Sequence, residues 1–165
     1  MTYGRLNAHQ RIAAWVRFLA LNAAHPELPL EAVTIGRAPR AAGGGTDHRV
    51  EGPQVVRIRQ LGADAPSRAT SARAELQRLL DLRADGLREP LPLPCLSGEA
   101  YAVALREGRD AAAAAIAAWT STFGVTREDQ EPEHELLWKR ELNVDALAAR
   151  APALWEPLLS REVDR

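Results

Sequence analysis

Gly52-Pro-Gln-Val-Val-Arg-Ile-Arg-Gln-Leu-Gly62 is the stretch that separates a mixed architecture from an all-helical one. It is bounded by glycines and rich in β-branched residues. It alternates: Val56, Ile58 and Gln60 face one way, Val55, Arg57 and Arg59 the other, which is the period of a half-buried strand. A mate precedes it, Leu30-Glu-Ala-Val-Thr-Ile-Gly-Arg37, and the residues between are a flexible loop rich in alanine and glycine. The pattern predicts two antiparallel strands joined by a long hairpin loop. The triple glycine Gly43–Gly45 is not a phosphate-binding loop, because no Gly-Lys-Ser/Thr follows it and no helix begins there.

Helical patterns lie on both sides. Asn7 and Gln10 have capping-box spacing, and Ile12, Trp15, Val16 and Leu19 then mark one apolar face, with Arg11, Arg17 and Asn22 off it. Pro26 ends that helix. A second helix spans residues 71–85, with Ala72, Leu76, Leu79 and Leu80 as its stripe and Gly86 as a left-handed cap. Gly86 opens the strap Gly-Leu-Arg-Glu-Pro-Leu-Pro-Leu-Pro-Cys-Leu96, in which Pro90, Pro92 and Pro94 exclude both helix and central strand. Such a segment presents Leu91 and Leu93 and loses little entropy when it packs. Ser97 is expected to cap a further helical region with Tyr101, Leu105, Ala112, Ile116 and Trp119 on one side, split at Gly108. A solvated acidic loop, 127–135, follows. The last pattern, Val144 to Leu159, is helical, with Pro152 expected to kink or break it. The fold class is α/β (α+β): one domain, 1–165, with a small mixed sheet flanked by the helices near 8–24 and 71–85.

The composition is that of a globular protein, 46% hydrophobic and 26% charged. No apolar run reaches the ~18 residues of a membrane span, and the first fifteen residues lack a signal-peptide apolar region. Cys95 is the single cysteine, expected as a buried thiol in a cytoplasmic protein. The net charge of −1 hides an asymmetry: residues 1–90 carry 13 basic and 9 acidic side chains, residues 91–165 carry 8 and 13. A basic first half suits nucleic acid and an acidic second half suits a protein partner.

No Gly-x-Ser-x-Gly, His-Glu-x-x-His, Cys-x-x-Cys or dinucleotide fingerprint is present. His9, His25, His48 and His134 are scattered, and Trp15, Trp119, Trp138 and Trp155 read as core. A helix, a hairpin and a helix also describe the core of restriction-endonuclease-like nucleases. Those need an Asp on the first strand and an Asp/Glu-x-Lys on the second, so that two carboxylates hold Mg²⁺. Here the first strand reads AVTIGR and the second VVRIRQLG, with Arg57, Ile58 and Arg59 where acid, any residue and lysine belong. No catalytic residue, metal or cofactor is expected. Arg37, Arg57 and Arg59 are instead the candidate DNA contacts.

With those residues in view, the chain resembles the C-terminal domain of RecC, the gamma subunit of exodeoxyribonuclease V. The resemblance runs through "RIAAWVRFLALNAAHPE", most specifically through "ARAELQRLLDLRADGLREPLPLPCLSGEAYA", and through "EDQEPEHELLW" and "ALAARAPALWEPLL". It implies an inactive nuclease-like core, a fragment of a much longer subunit, and a non-catalytic part in duplex splitting, DNA binding and subunit assembly during recombinational repair. The implied partners are RecB-like and RecD-like subunits and DNA, with Leu91 and Leu93 as candidate partner contacts and no membrane. Two other readings stand beside it: an active RecB/AddB-like metal-dependent nuclease, and a helical interaction module unrelated to DNA.

Overall fold

The β-branched residues of the hairpin pair as their alternation requires. In the computed structural model, which describes residues 6–37, 53–122, 127–139 and 141–164, β1 (Ala32–Arg37) runs antiparallel to β2 (Pro53–Ile58), with Val33 opposite Arg57 and Thr34 opposite Val56. Val56 and Ile58 are buried on one face, as the alternation predicts. The loop between the strands, with Gly43–Gly45, lies outside the described residues. A third strand, β3 (Glu162–Asp164), pairs antiparallel with β2, giving the order β1-β2-β3. The described sheet is therefore antiparallel throughout, not mixed.

The described chain falls into two compact units, Met1–Ala74 with Arg161–Arg165, and Glu75–Ser160. In the first, α1 (Ala8–Ala24) starts at a capping box: the Gln10 N–H donates to Asn7 Oδ1 at 3.0 Å and the Asn7 N–H to Gln10 Oε1 at 3.2 Å. Its inward face is Ala8, Trp15, Phe18, Leu19 and Asn22, rotated from the predicted stripe, so Asn22 is buried and Val16 is exposed. The Asn22 amide compensates in part by donating to Phe18 O at 2.8 Å. Arg11 reaches Glu162 with Nε 3.1 Å from Oε1 and a second contact from Nη2 to Oε2, which fastens α1 to β3. Arg68 is buried and donates only to carbonyls, from Nε to Pro26 O at 2.8 Å and from Nη1 to Ala63 O at 3.3 Å, so it anchors the loops on either side of the sheet.

The helix expected over 71–85 is α2, Ala65–Arg88. It begins earlier because Asp64 and Ser67 cap it reciprocally, the Ser67 N–H donating to Asp64 Oδ1 at 2.8 Å. That bond, above all, holds the Asp64 carboxyl below its ordinary value, with the Ser67 hydroxyl and the Arg68 charge adding to it. The helix also continues through Gly86, which is not a left-handed cap. Leu91 Cδ1 would lie 3.3 Å from a Cβ at that position, so the strap folds back over the bare glycine.

In the second unit, α3 (Cys95–Arg106) begins at Pro94, and Ser97 sits inside its first turn rather than capping it. Gly108, at φ +68°, does split the helical region, and Asp110 caps α4 (Ala111–Trp119). Ala115 rather than Ile116 faces the core, joined by Leu147 and Ala151 with Leu93, Tyr101 and Leu142 packed around them. The run 127–135 is not a solvated loop. It forms a 3₁₀ turn, Glu128–Gln130, and α5 (Pro132–Trp138), with Glu128 1% exposed and His134 9%. Finally α6 (Val144–Leu159) runs as one helix past both Pro152 and Pro157. Its buried Leu147, Ala151, Trp155, Leu158 and Leu159 hold it where the missing N–H groups alone would break it. Trp15, Trp119 and Trp155 are core residues, as expected, whereas Trp138 is only half-buried.

Candidate nucleic-acid interface

The sheet has an inner face, carrying Val56, Ile58 and Glu162 against α1, and an outer face set by the same registers. Val33 opposite Arg57 opposite Val163 forms one row of the outer face, and Ile35 opposite Val55 forms the next. Arg59 continues this face one step beyond β2, where its backbone N–H donates to Arg161 O at 3.0 Å. Strand periodicity thus brings Arg57 and Arg59 together as the alternation predicts.

Their environments differ. Arg57 Nη1 lies 3.7 Å from Glu31 Oε2 while its Nε is covered and has no hydrogen-bond partner. It is a guanidinium partly neutralised at one end and short of acceptors at the other. Arg59 is exposed, with no ion pair among the described residues. Arg37 belongs to β1 opposite Pro53, and its side chain lies outside the described residues. Arg161, which the sequence pattern did not single out, stands across from Arg59 and donates from Nη1 to Gln60 O at 3.2 Å. A strand of three residues at Glu162–Asp164 offers no periodicity from which to find it.

Neither strand carries a carboxylate: β1 reads AVTIGR and β2 PQVVRI. Among the described residues, no three His, Cys, Asp or Glu side chains are grouped to hold a metal ion. Nor is any described helix long and apolar enough to cross a membrane.

Leu91 and Leu93, the candidate partner contacts, are half-buried within the second unit, Leu91 over Gly86 and Leu93 beside Gly98 and the Ala115–Leu147–Ala151 core. The strap is pinned internally by the Leu93 N–H donating to Leu91 O at 2.7 Å. Cys95 follows at the start of α3. Its thiol is pushed up to about 12, first by burial and then by the charges of Glu128, Glu99 and Glu131, which makes it unreactive at neutral pH.

No solved structure matches this chain. It is similar to the RecBCD enzyme subunit RecC of Mycolicibacterium smegmatis, 32% identical over 98% of this chain and 15% of that protein. To the RecBCD enzyme subunit RecC of Mycobacterium tuberculosis it is 29% identical, again over 98% of this chain and 15% of the relative. The chain therefore spans about 15% of the length of these curated relatives. The model of the RecC C-terminal domain family matches residues 1–106, from α1 through the hairpin, α2 and the proline strap to the end of α3. On that match, this chain belongs to the RecC C-terminal domain family.

Proposed function

We propose that this chain is a non-catalytic domain of a RecC-like subunit of exodeoxyribonuclease V, working in the cytoplasm beside RecB-like and RecD-like subunits in the repair of DNA double-strand breaks. The observation that carries the reading is the 32% identity to a RecBCD enzyme subunit RecC across 98% of the chain. Within that role, the sheet and its flanking helices act as an inactive restriction-endonuclease-like core. The helix–hairpin–helix order and the absence of carboxylates from β1 and β2 support that assignment. The outer sheet face guides DNA by its phosphates through Arg57 and Arg59, with Arg37 at the hairpin end. Arg57 in β2 and Arg59 just beyond it are two residues apart, about 7 Å of extended chain, which sets two positive charges side by side for a phosphate backbone.

The test is salt-dependent DNA binding by the purified chain and by Arg57→Ala/Arg59→Ala. Binding that weakens with salt, with a log–log slope reduced by about 2 in the double variant, fits two phosphate contacts. An unchanged slope removes the arginines from the interface. Incubation with linear single- and double-stranded DNA in Mg²⁺ or Mn²⁺ should leave the DNA intact. Metal-dependent cleavage by rigorously purified protein would replace this reading with that of an active nuclease.

A further inference from the structure

β1 is the outermost strand of the sheet, bonded to β2 alone, so alternate backbone N–H and C=O groups of Ala32–Arg37 point away from it. No other backbone hydrogen bond reaches these residues among those described. Exposed edges are ordinarily blunted by a lysine, a proline, an inward charge or a bulge. Ala32–Ile35 has none of these, while Gly36 is covered by Leu6 and the charged Arg37 closes the strand.

Beside the edge runs a groove of about 670 Å³, within the range of pockets that take ligands. Its sheet-side wall is made by consecutive residues, Leu30 and Glu31 ahead of the strand and Ala32 through Ile35 of β1. A groove on a sheet face would be lined by alternate residues, so this one follows the backbone edge itself. The opposite wall is α1, from His9 to Leu21, with the small Ala13 and Ala14 at its middle. At 1.5 Å per helical residue that wall is about 18 Å long, which matches five or six residues of extended chain. Val33, Ile35 and Leu21 are 47%, 60% and 52% exposed. Of the groove's two formal charges, Glu31 lies beside Arg57, while Arg17 is exposed without an ion pair among the described residues.

We propose that the free edge of β1 accepts a short extended peptide carrying alternate carboxylate and small apolar side chains, laid into the groove against α1 as a fourth strand. The edge offers donors and acceptors in alternation, which another peptide backbone satisfies and a phosphodiester, having no donor, does not. Arg17 selects for acidic residues on the side facing α1, and Val33 and Ile35 supply apolar contact on the other side. The small side chains of Ala13 and Ala14 leave the added backbone room. This goes beyond the subunit role proposed above and stands or falls separately from it.

The probe is a synthetic octapeptide of alternating valine and glutamate, titrated into the full chain labelled with ¹⁵N. Saturable shifts at the amides of Glu31–Ile35 are expected. Binding should fall at least tenfold when the peptide is N-methylated at alternate residues, and at least tenfold for Arg17→Glu. A second variant, Val33→Lys, places a charge on the edge at an exposed side chain and should weaken binding while circular dichroism stays unchanged. Equal affinity for the N-methylated peptide, or shifts confined to Arg57 and Arg59, overturns the proposal. So does concentration-dependent dimerisation that Val33→Lys abolishes, which would assign the edge to a second copy, or displacement of the peptide by duplex DNA at the same amides.

Discussion

Ser97 and Glu128 are 31 positions apart in sequence and bonded twice: the Ser97 hydroxyl and N–H both donate to Glu128 Oε2, at 2.6 and 2.8 Å. The Leu96 N–H takes the other oxygen at 2.7 Å. A buried carboxylate from a distant 3₁₀ turn thus supplies the N-terminal cap that Pro94 has no side chain to provide. Its negative charge also sits at the positive end of the α3 dipole.

Glu128→Ala should therefore be among the most damaging substitutions in the second unit. It strands two helix N–H groups and a hydroxyl away from water, and the loss expected is about 3 kcal/mol. Urea unfolding followed by tryptophan fluorescence measures it. A change within about 0.5 kcal/mol contradicts the capping role.

Cys95 should resist modification in the folded chain. With its thiol raised to about 12 from an ordinary value of 9.0, the native protein holds on the order of a thousandfold less thiolate at pH 8 than the unfolded chain. The sign follows from burial favouring the neutral thiol. The stabilisation is complete below pH 9 and is lost as pH climbs toward 12. Rates of reaction with an aromatic disulfide, with and without urea, read this directly, and equal rates would refute it.

How much of this was legible varied with the range of the interactions. The capping box at Asn7, the stop at Pro26 and the two-faced hairpin are local, and local rules found them. The first turns of α2 escaped because Asp64-Ala-Pro-Ser67 has no apolar period, although its capping spacing was readable. Gly86 misled because what allows the helix to continue there is Leu91 of the strap lying over it, a packing fact. Glu128 was hidden among exposed acids, since nothing in its neighbourhood announces a partner 31 residues away. On the candidate interface, alternation placed Arg57 and Arg59 together, whereas Arg161 depended on a strand too short to recognise.

Gly98 is a packing glycine. A Cβ there would stand 3.2 Å from Trp155 Nε1 and 3.3 Å from Leu93 Cδ1, closer than most real contacts. Gly98→Ala should cost about 1–2 kcal/mol through overpacking, despite alanine's better helix propensity. A gain in melting temperature would show that propensity wins over the contact.

Breaking the Arg11–Glu162 pair should loosen β3 from α1. The side chains are 18% and 8% exposed, so Glu162→Ala leaves a guanidinium largely covered and is expected to cost about 2–3 kcal/mol. Hydrogen exchange should quicken at Arg57 and Ile58, whose strand partners are Val163 and Glu162. Unchanged exchange there would mean that β3 is held without the pair.

The Asp64 cap predicts acid sensitivity localised to the start of α2. Because the carboxyl is held below 3.8, its contribution is present above that pH and fades as pH falls through its folded value. Asp64→Asn keeps an acceptor and should abolish the pH dependence without removing the cap. Amide shifts of Ala65–Ala69 across pH 2–6 provide the measurement.

Because β3 comes from residues 162–164, the first unit is made of two pieces of chain with residues 75–160 inserted between them. Synthesis runs from the N-terminus. The hairpin of β1 and β2 therefore leaves the ribosome more than a hundred residues before the strand that finishes its sheet. For that interval β2 as well as β1 presents open backbone, and Val56 and Ile58 lack the neighbour that completes their row. The nascent hairpin is the segment most exposed to wrong pairing, and the second unit, contiguous in sequence, is the one able to mature first.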